Sequence, residues 1–158
     1  MVLDTAQLSS KVSNYSNLGV GLLGHTLASA EKTTLENLYQ QYIFKPYGMA
    51  NTFVNQEKVG KHLVPAMDAT GKEIPTWNFD VFLGAGGLLS TVEDMSHFAQ
   101  VQLDGKNPAI QLTQQPTSAK VGHYQMGLGW FIREGENGQK MTWHGGIPQG
   151  IPQFWYWI

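Results

Sequence analysis

The 158-residue chain contains no cysteine. Disulfides, thiolate nucleophiles and cysteine-ligated zinc are excluded by that absence, which leaves the redox compartment open. Basic charge is scarce, 10 Lys and Arg against 12 Asp and Glu, and the net charge is −2. Such a balance offers no cationic surface to a phosphate backbone, so nucleic acid is not expected as a partner. Long apolar runs are missing as well. The longest, around Leu18 to Leu23, is far too short to span a bilayer. The opening Met1-Val2-Leu3-Asp4 has neither the basic nor the apolar part of a secretory leader. No Gly-x-Gly-x-x-Gly follows a strand pattern, no His-Glu-x-x-His occurs and no opposed carboxylate pair stands out. Nucleotide binding, zinc-protease chemistry and glycoside hydrolysis are therefore unsupported, and neither a cofactor nor a metal is expected.

Hydrophobic residues make up 42% of the chain and charged residues 14%, a globular mixture of one domain's length. The apolar pattern changes along it. Leu18, Leu22, Leu23 and Leu27 recur at helical spacing, which predicts a helix over residues 16–30. Gly19, Gly21 and Gly24 weaken that helix by propensity and point to close packing against another backbone. Thr33 with Glu36 reads as a capping box before Leu35, Leu38, Tyr42 and Ile43, and Pro46 and Gly48 read as the stop. Residues 49–89 look irregular. Ser90 with Glu93 reads as a second capping box before Val92, Met95, Phe98, Ala99 and Leu103, with Gly105 and Pro108 as terminators. The last third reads as strands: Gly127 to Ile132, a turn at residues 134–138, Lys140 to His144, and a third beginning at Phe154.

Taken singly, the candidate chemical residues have plain structural readings. Tyr15-Ser16-Asn17 sits where a helix cap belongs. Gly84-Ala85-Gly86-Gly87 is a turn feeding a capped helix, and His144-Gly145-Gly146 suits the end of a strand.

In order and spacing, however, these segments resemble the serine β-lactamase and penicillin-binding-protein superfamily, in particular its class C-like branch of β-lactamases, D-alanyl-D-alanine carboxypeptidases and related esterases. Tyr15-Ser16-Asn17-Leu18-Gly19 resembles the Tyr-x-Asn helix. Ile43-Phe44-Lys45-Pro46-Tyr47-Gly48-Met49 with Asn51-Thr52-Phe53 resembles the I-F-x-P-L-G-M-x-x-T segment. Gly86-Gly87-Leu88-Leu89-Ser90-Thr91-Val92-Glu93-Asp94-Met95 resembles G-G-L-x-S-T-x-x-D-L, and Gly127-Leu128-Gly129-Trp130 resembles a G-L-G-W strand. His144-Gly145-Gly146 matches the His-x-Gly variant of Lys-Thr-Gly.

The resemblance implies an α+β, mainly helical fold. Residues 1–158 would form a partial β-lactamase-related domain, helical over about 14–125, with two to three antiparallel strands of an incomplete sheet over about 126–158. It implies acyl-enzyme hydrolysis of a β-lactam, a D-Ala-D-Ala peptide or a small ester, with a small molecule or peptide as substrate. Tyr15 would pass protons near the nucleophile, Asn17 would bind the substrate amide or the motif lysine, and His144 would line the opposite wall. Gly146 would admit substrate to the strand edge, and the N–H of Ile147 would be an oxyanion donor. A Ser-x-x-Lys is expected well upstream of Tyr15, but only fourteen residues precede it and none forms the motif. The literal match, Ser29-Ala30-Glu31-Lys32, follows Tyr-x-Asn and reads as an ordinary helix terminus. The expectation is a piece truncated at both ends and inactive alone, associating with itself through uncovered aromatic strands. The alternative is a non-catalytic binding module. By analogy with the family, a cell-envelope or secreted location is implied.

Overall fold

The structure, a computed structural model, describes residues 14–68, 70–118, 120 and 122–146 and the backbone of 154–157. The architecture is α+β and mainly helical, and the described chain divides into two compact units. No helix among the described residues is long and apolar enough to cross a membrane.

One unit spans residues 16–103. It opens with α1 (Asn17–Ala30), capped by Ser16, whose hydroxyl accepts from the Gly19 N–H at 2.9 Å. Two of the three glycines in α1 do the packing inferred from the sequence. Gly21 lies against Phe82, and a Cβ on Gly24 would reach 3.3 Å from the Cα of Gly84. Gly19 meets only its own cap residue. The apolar residues of α1 are not its buried ones: Leu18, Leu22, Leu23 and Leu27 stay about half exposed or more, while Gly21, Gly24 and Ala28 are buried.

The next helix starts one residue later than the capping-box pattern suggests. α2 (Leu35–Tyr39) is capped by Thr34, which accepts from the Asn37 N–H at 3.1 Å, and Thr33 instead accepts from the Asn37 side chain at 3.0 Å. Pro46 does not stop the helix. A wider π turn, Gln40–Phe44, carries it into α3 (Lys45–Tyr47), and Gly48 ends it at φ 73°. Pro46 has no N–H for the Tyr42 carbonyl and its ring would crowd that group. The wide turn, closed by the Lys45 N–H on the Gln40 carbonyl, relieves the crowding just before the ring.

Residues 49–89 are largely irregular, holding the short α4 (Gln56–Val59) and a hairpin of β1 (Ala66–Met67) and β2 (Glu73–Ile74). α5 (Val92–Leu103) follows. Its cap is again the second of two hydroxyl residues: Thr91 accepts from the Asp94 N–H at 3.2 Å, and its carbonyl takes the Met95 N–H. α5 packs on α3 through Tyr47 and Phe98, and His97 Nδ1 sits 3.2 Å from the Gly48 carbonyl. Phe44 and Met49 are the buried apolar centre beneath.

The other unit comprises residues 104–146 and Tyr15, with the backbone of β6. Pro108, expected as a terminator, instead opens α6 (Pro108–Thr113) behind an Asn107 cap, a position where its missing N–H costs nothing. A four-stranded antiparallel sheet follows in the order β3 (Gln125–Met126), β4 (Phe131–Glu134), β5 (Lys140–Gly146), β6 (Phe154–Trp157). Gly127 to Trp130, expected as part of a strand, forms the turn between β3 and β4. The Gly127 N–H donates to the Trp130 carbonyl at 2.8 Å, and Gly129 has φ 81°. The end of α6 anchors that turn: the Thr113 carbonyl accepts the Leu128 N–H at 2.8 Å, and the Trp130 indole donates to the Thr113 hydroxyl at 3.3 Å. Gly127 is there because a Cβ would collide with the Thr113 carbonyl.

Candidate active site

β5 is the element on which the candidate site is built. On one side it pairs with β4 from Glu134↔Lys140 to Phe131↔Trp143, and on the other with β6 from Trp143↔Trp157 to Gly146↔Phe154. Beyond Trp143 the β4 ladder has ended in the Gly127–Trp130 turn. Residues His144 to Gly146 therefore present a strand edge that no other strand among the described residues occupies. A Cβ on Gly146 would meet nothing within 4 Å, so the end of that edge is open.

His144 is half-buried at the start of this edge and is fixed by its neighbours. Its Nδ1 lies 2.7 Å from the Gly129 carbonyl oxygen, which can only accept, so Nδ1 carries a proton and donates. In the neutral ring Nε2 is then left as an acceptor. The imidazole also lies against Phe131, whose ring stacks on Trp143 at 4.6 Å, with Tyr124 meeting Trp143 edge-on. Gly129 reaches the left-handed backbone needed to aim its carbonyl back at His144, a conformation that a side chain there would disfavour.

Tyr15 comes to the same place. Its ring centroid is 6.1 Å from that of His144, at 44° between planes, although 129 positions separate them in sequence (144 − 15). The phenol is 62% exposed, and its hydroxyl has no hydrogen-bond partner among the described residues. A phenol and an imidazole side by side on an open strand edge can bind a polar ligand and move protons.

The other expected residues stand as follows. Asn17 is the first residue of α1 and belongs to the other unit; the cap is made by Ser16, and the Asn17 carboxamide has no partner among the described residues. Ile147 lies outside the described residues. Ser29 is exposed in the last turn of α1, while Lys32 has left the helix at φ 51°. The two are not presented from one helical face as a Ser-x-x-Lys pair requires. Gly129 and Phe131 hold His144, a role that the G-L-G-W resemblance does not imply for either. The Gly127-x-Gly129 spacing was the available signal, had it been read as a turn instead of a strand.

The whole chain from residue 3 to residue 158 matches the family model described as Beta-lactamase. The chain belongs to the β-lactamase family. Beta-lactamase-like protein 4 of Dictyostelium discoideum is 35% identical over 103 residues, 53% of this chain and 16% of that protein. The Beta-lactamase of Yersinia enterocolitica is 26% identical over 136 residues, 74% of this chain and 32% of its own. The chain thus spans a third or less of the curated relatives it matches. Among solved structures, a beta-lactamase from Sulfitobacter sp. EE-36 is 26% identical with a TM-score of 0.67, covering 77% of this chain and 35% of that one. A class C beta lactamase from Rhodobacter sphaeroides, 18% identical with a TM-score of 0.73 over 87% of this chain and 49% of its own, shares the fold.

Proposed function

We propose that the chain contributes the Tyr-x-Asn and His-x-Gly walls of a serine acyl-hydrolase site. The reaction is hydrolysis, through an acyl-enzyme, of a β-lactam, a D-Ala-D-Ala peptide or a small ester. The observation that carries this reading is the approach of Tyr15 to His144 on the open edge of β5. Two motif residues remote in sequence meet where an extended substrate can add to a strand. In the reaction a serine hydroxyl attacks the acyl carbonyl, and water later releases the acyl group. Tyr15 passes the proton between the nucleophile and the leaving group. His144, with Nδ1 committed to Gly129, offers Nε2 to the substrate or to the phenol. By the family resemblance, Asn17 binds the substrate amide or the motif lysine.

The serine is not supplied by a Ser-x-x-Lys ahead of Tyr15, since the sequence has none there. We therefore propose that the chain alone binds substrate at this edge without turning it over. A Ser-x-x-Lys ahead of residue 1 would decide for this reading and against a second, a non-catalytic binding module. Self-association through the uncovered strands belongs to the proposal as well.

Binding is tested by nuclear magnetic resonance of the histidine side chains while a D-Ala-D-Ala peptide or a penicillin is titrated in, with His144→Ala assigning the signal. A saturable shift confined to His144 is expected. A folded chain in which the His144 signal does not move would overturn the site.

A further inference from the structure

A cavity of about 510 Å³ opens within the residue 16–103 unit, remote in sequence from the β5 edge, between the start of α4 and the segment leading into Gly86. Its lining combines two features that belong together chemically. The first is an aromatic corner. Trp77 and Phe79 both face the cavity, their ring centroids 5.9 Å apart and their planes at 72°. In such an edge-to-face pair the face of one ring takes the edge of the other, which fixes the two rings and leaves the remaining aromatic faces for a ligand. The corner is held in place. The Gln56 side chain donates to the Trp77 carbonyl at 2.9 Å. Gly86 and Gly87 leave the space that the Phe79 ring and its neighbour Leu83 fill: a Cβ on Gly87 would lie 3.2 Å from the Phe79 Cβ and closer still to Leu83. Trp77 nonetheless remains 50% exposed, so a large aromatic surface stays available at the mouth.

The second feature is charge of one sign. Glu57 and Asp80 line the cavity, and the lining contains no Lys, Arg or His. Neither carboxylate has an ion-pair partner among the described residues. Lys58, next to Glu57, is paired with Glu36 instead.

We propose that this cavity binds a small organic cation, a quaternary ammonium or an alkylated amine. The rings attract an onium group through their faces, and its methyl groups bury against them while the carboxylates supply long-range attraction. A bare divalent metal would need several converging oxygen ligands, which an aromatic corner does not supply. Penicillins and D-Ala-D-Ala peptides end in a carboxylate that Glu57 and Asp80 repel, so the cation proposal does not rest on the acyl-transfer reading.

Calorimetric titration of the intact chain with choline, against its uncharged isostere 3,3-dimethylbutan-1-ol, tests the proposal. Choline is expected to bind at one site, about tenfold more tightly than the isostere, an effect of cation–π size. Trp77→Leu keeps the apolar bulk and removes the ring face, so it should cost about five- to tenfold in choline affinity. Glu57→Gln with Asp80→Asn should weaken choline about threefold or more and flatten its dependence on salt. Circular dichroism confirms that each variant is folded, and Trp77→Phe replaces Trp77→Leu should the latter unfold; it should retain most of the affinity. Equal binding of choline and the isostere, no binding of choline to the folded chain, or undiminished binding by folded Trp77→Leu would each overturn the proposal.

Discussion

The carboxylate of Asp94, 2% exposed, takes the Thr52 hydroxyl at 2.7 Å and the Asn51 N–H at 2.7 Å. Because Thr52 donates to Asp94, the Ser90 hydroxyl, 2.8 Å away, must donate to Thr52. A reciprocal pair of backbone bonds between Phe53 and Leu89, each 2.8 Å, completes the junction. Two of the segments that carry the family resemblance, Asn51-Thr52-Phe53 and Ser90 to Asp94, are thus one structural joint between the α3 end and the start of α5. Their resemblance reflects folding and not chemistry. Replacing Asp94 by Ala strands two buried donors and should cost about 2–4 kcal/mol in chemical denaturation. Asp94→Asn keeps an acceptor and should cost about half as much or less. An Asp94→Ala chain as stable as the native one would contradict the joint.

Gly127 sets the turn from which Gly129 holds His144. A side chain at 127 must push the Thr113 carbonyl away. Gly127→Ala is expected to lose about 1–3 kcal/mol by overpacking. It should also disturb the His144 resonance, since the turn and the Gly129 carbonyl move together. Gly122→Ala, where a Cβ meets nothing within 4 Å, is a control that carries only the penalty of its positive φ.

Lys32 ends α1 in the left-handed region, with the Thr33 N–H reaching back to the Ala28 carbonyl at 3.0 Å. Glycine fits that position without the clash a Cβ brings. Lys32→Gly should therefore stabilise the chain by about 0.5–1 kcal/mol after the added freedom of the unfolded state is counted. Thermal denaturation checks it, and a lowered midpoint would contradict the assigned helix end.

The hairpin β1–β2 is organised by Asp68. The Thr70 hydroxyl, then the N–H groups of Lys72 and Thr70, donate to its carboxylate and hold its pKa below the ordinary 3.8. A depressed folded-state value means that the carboxylate's contribution is present above 3.8 and fades as the pH falls through the folded pKa. A carbon-13 titration of the Asp68 carboxyl should give a midpoint below 3.8, with faster amide exchange at Thr70 and Lys72 once it is protonated. A midpoint at or above 3.8 would contradict the turn.

Much of the helical unit was legible because α1 and α5 follow apolar spacing and carry hydroxyl caps. Both the second and the last of its capped helices begin one residue later than the Thr33–Glu36 and Ser90–Glu93 pairs suggested. In each case two hydroxyl residues adjoin, and the third helical residue, Asn37 or Asp94, supplies the N–H that the cap receives. Local pattern cannot choose between neighbouring hydroxyls when the remote partner decides, as Thr52 does by engaging both Ser90 and Asp94. Gly127 to Trp130 looked extended because its composition is apolar. The bond between Gly127 and Trp130 and the hold of Thr113 make it a turn. Pro108 illustrates the opposite ambiguity, since the same residue can end one helix or begin the next. Tyr15 and His144 had only cap and strand-end readings by themselves. Their pairing is a property of the folded unit, and only the resemblance of the intervening segments had suggested it.

The acyl-transfer account is tested most directly by intact-mass analysis after exposure to a fluorescent penicillin and to an activated ester. The chain alone should gain no covalent acyl group, at Ser29 or at any other serine. The same chain extended at its N-terminus by a segment bearing Ser-x-x-Lys should gain one, on the new serine. Its rate of acylation should fall about 100-fold with Tyr15→Phe or His144→Ala, the scale of one proton-transfer group. An adduct on Ser29, or acylation of the extended chain that ignores both Tyr15 and His144, would contradict the account.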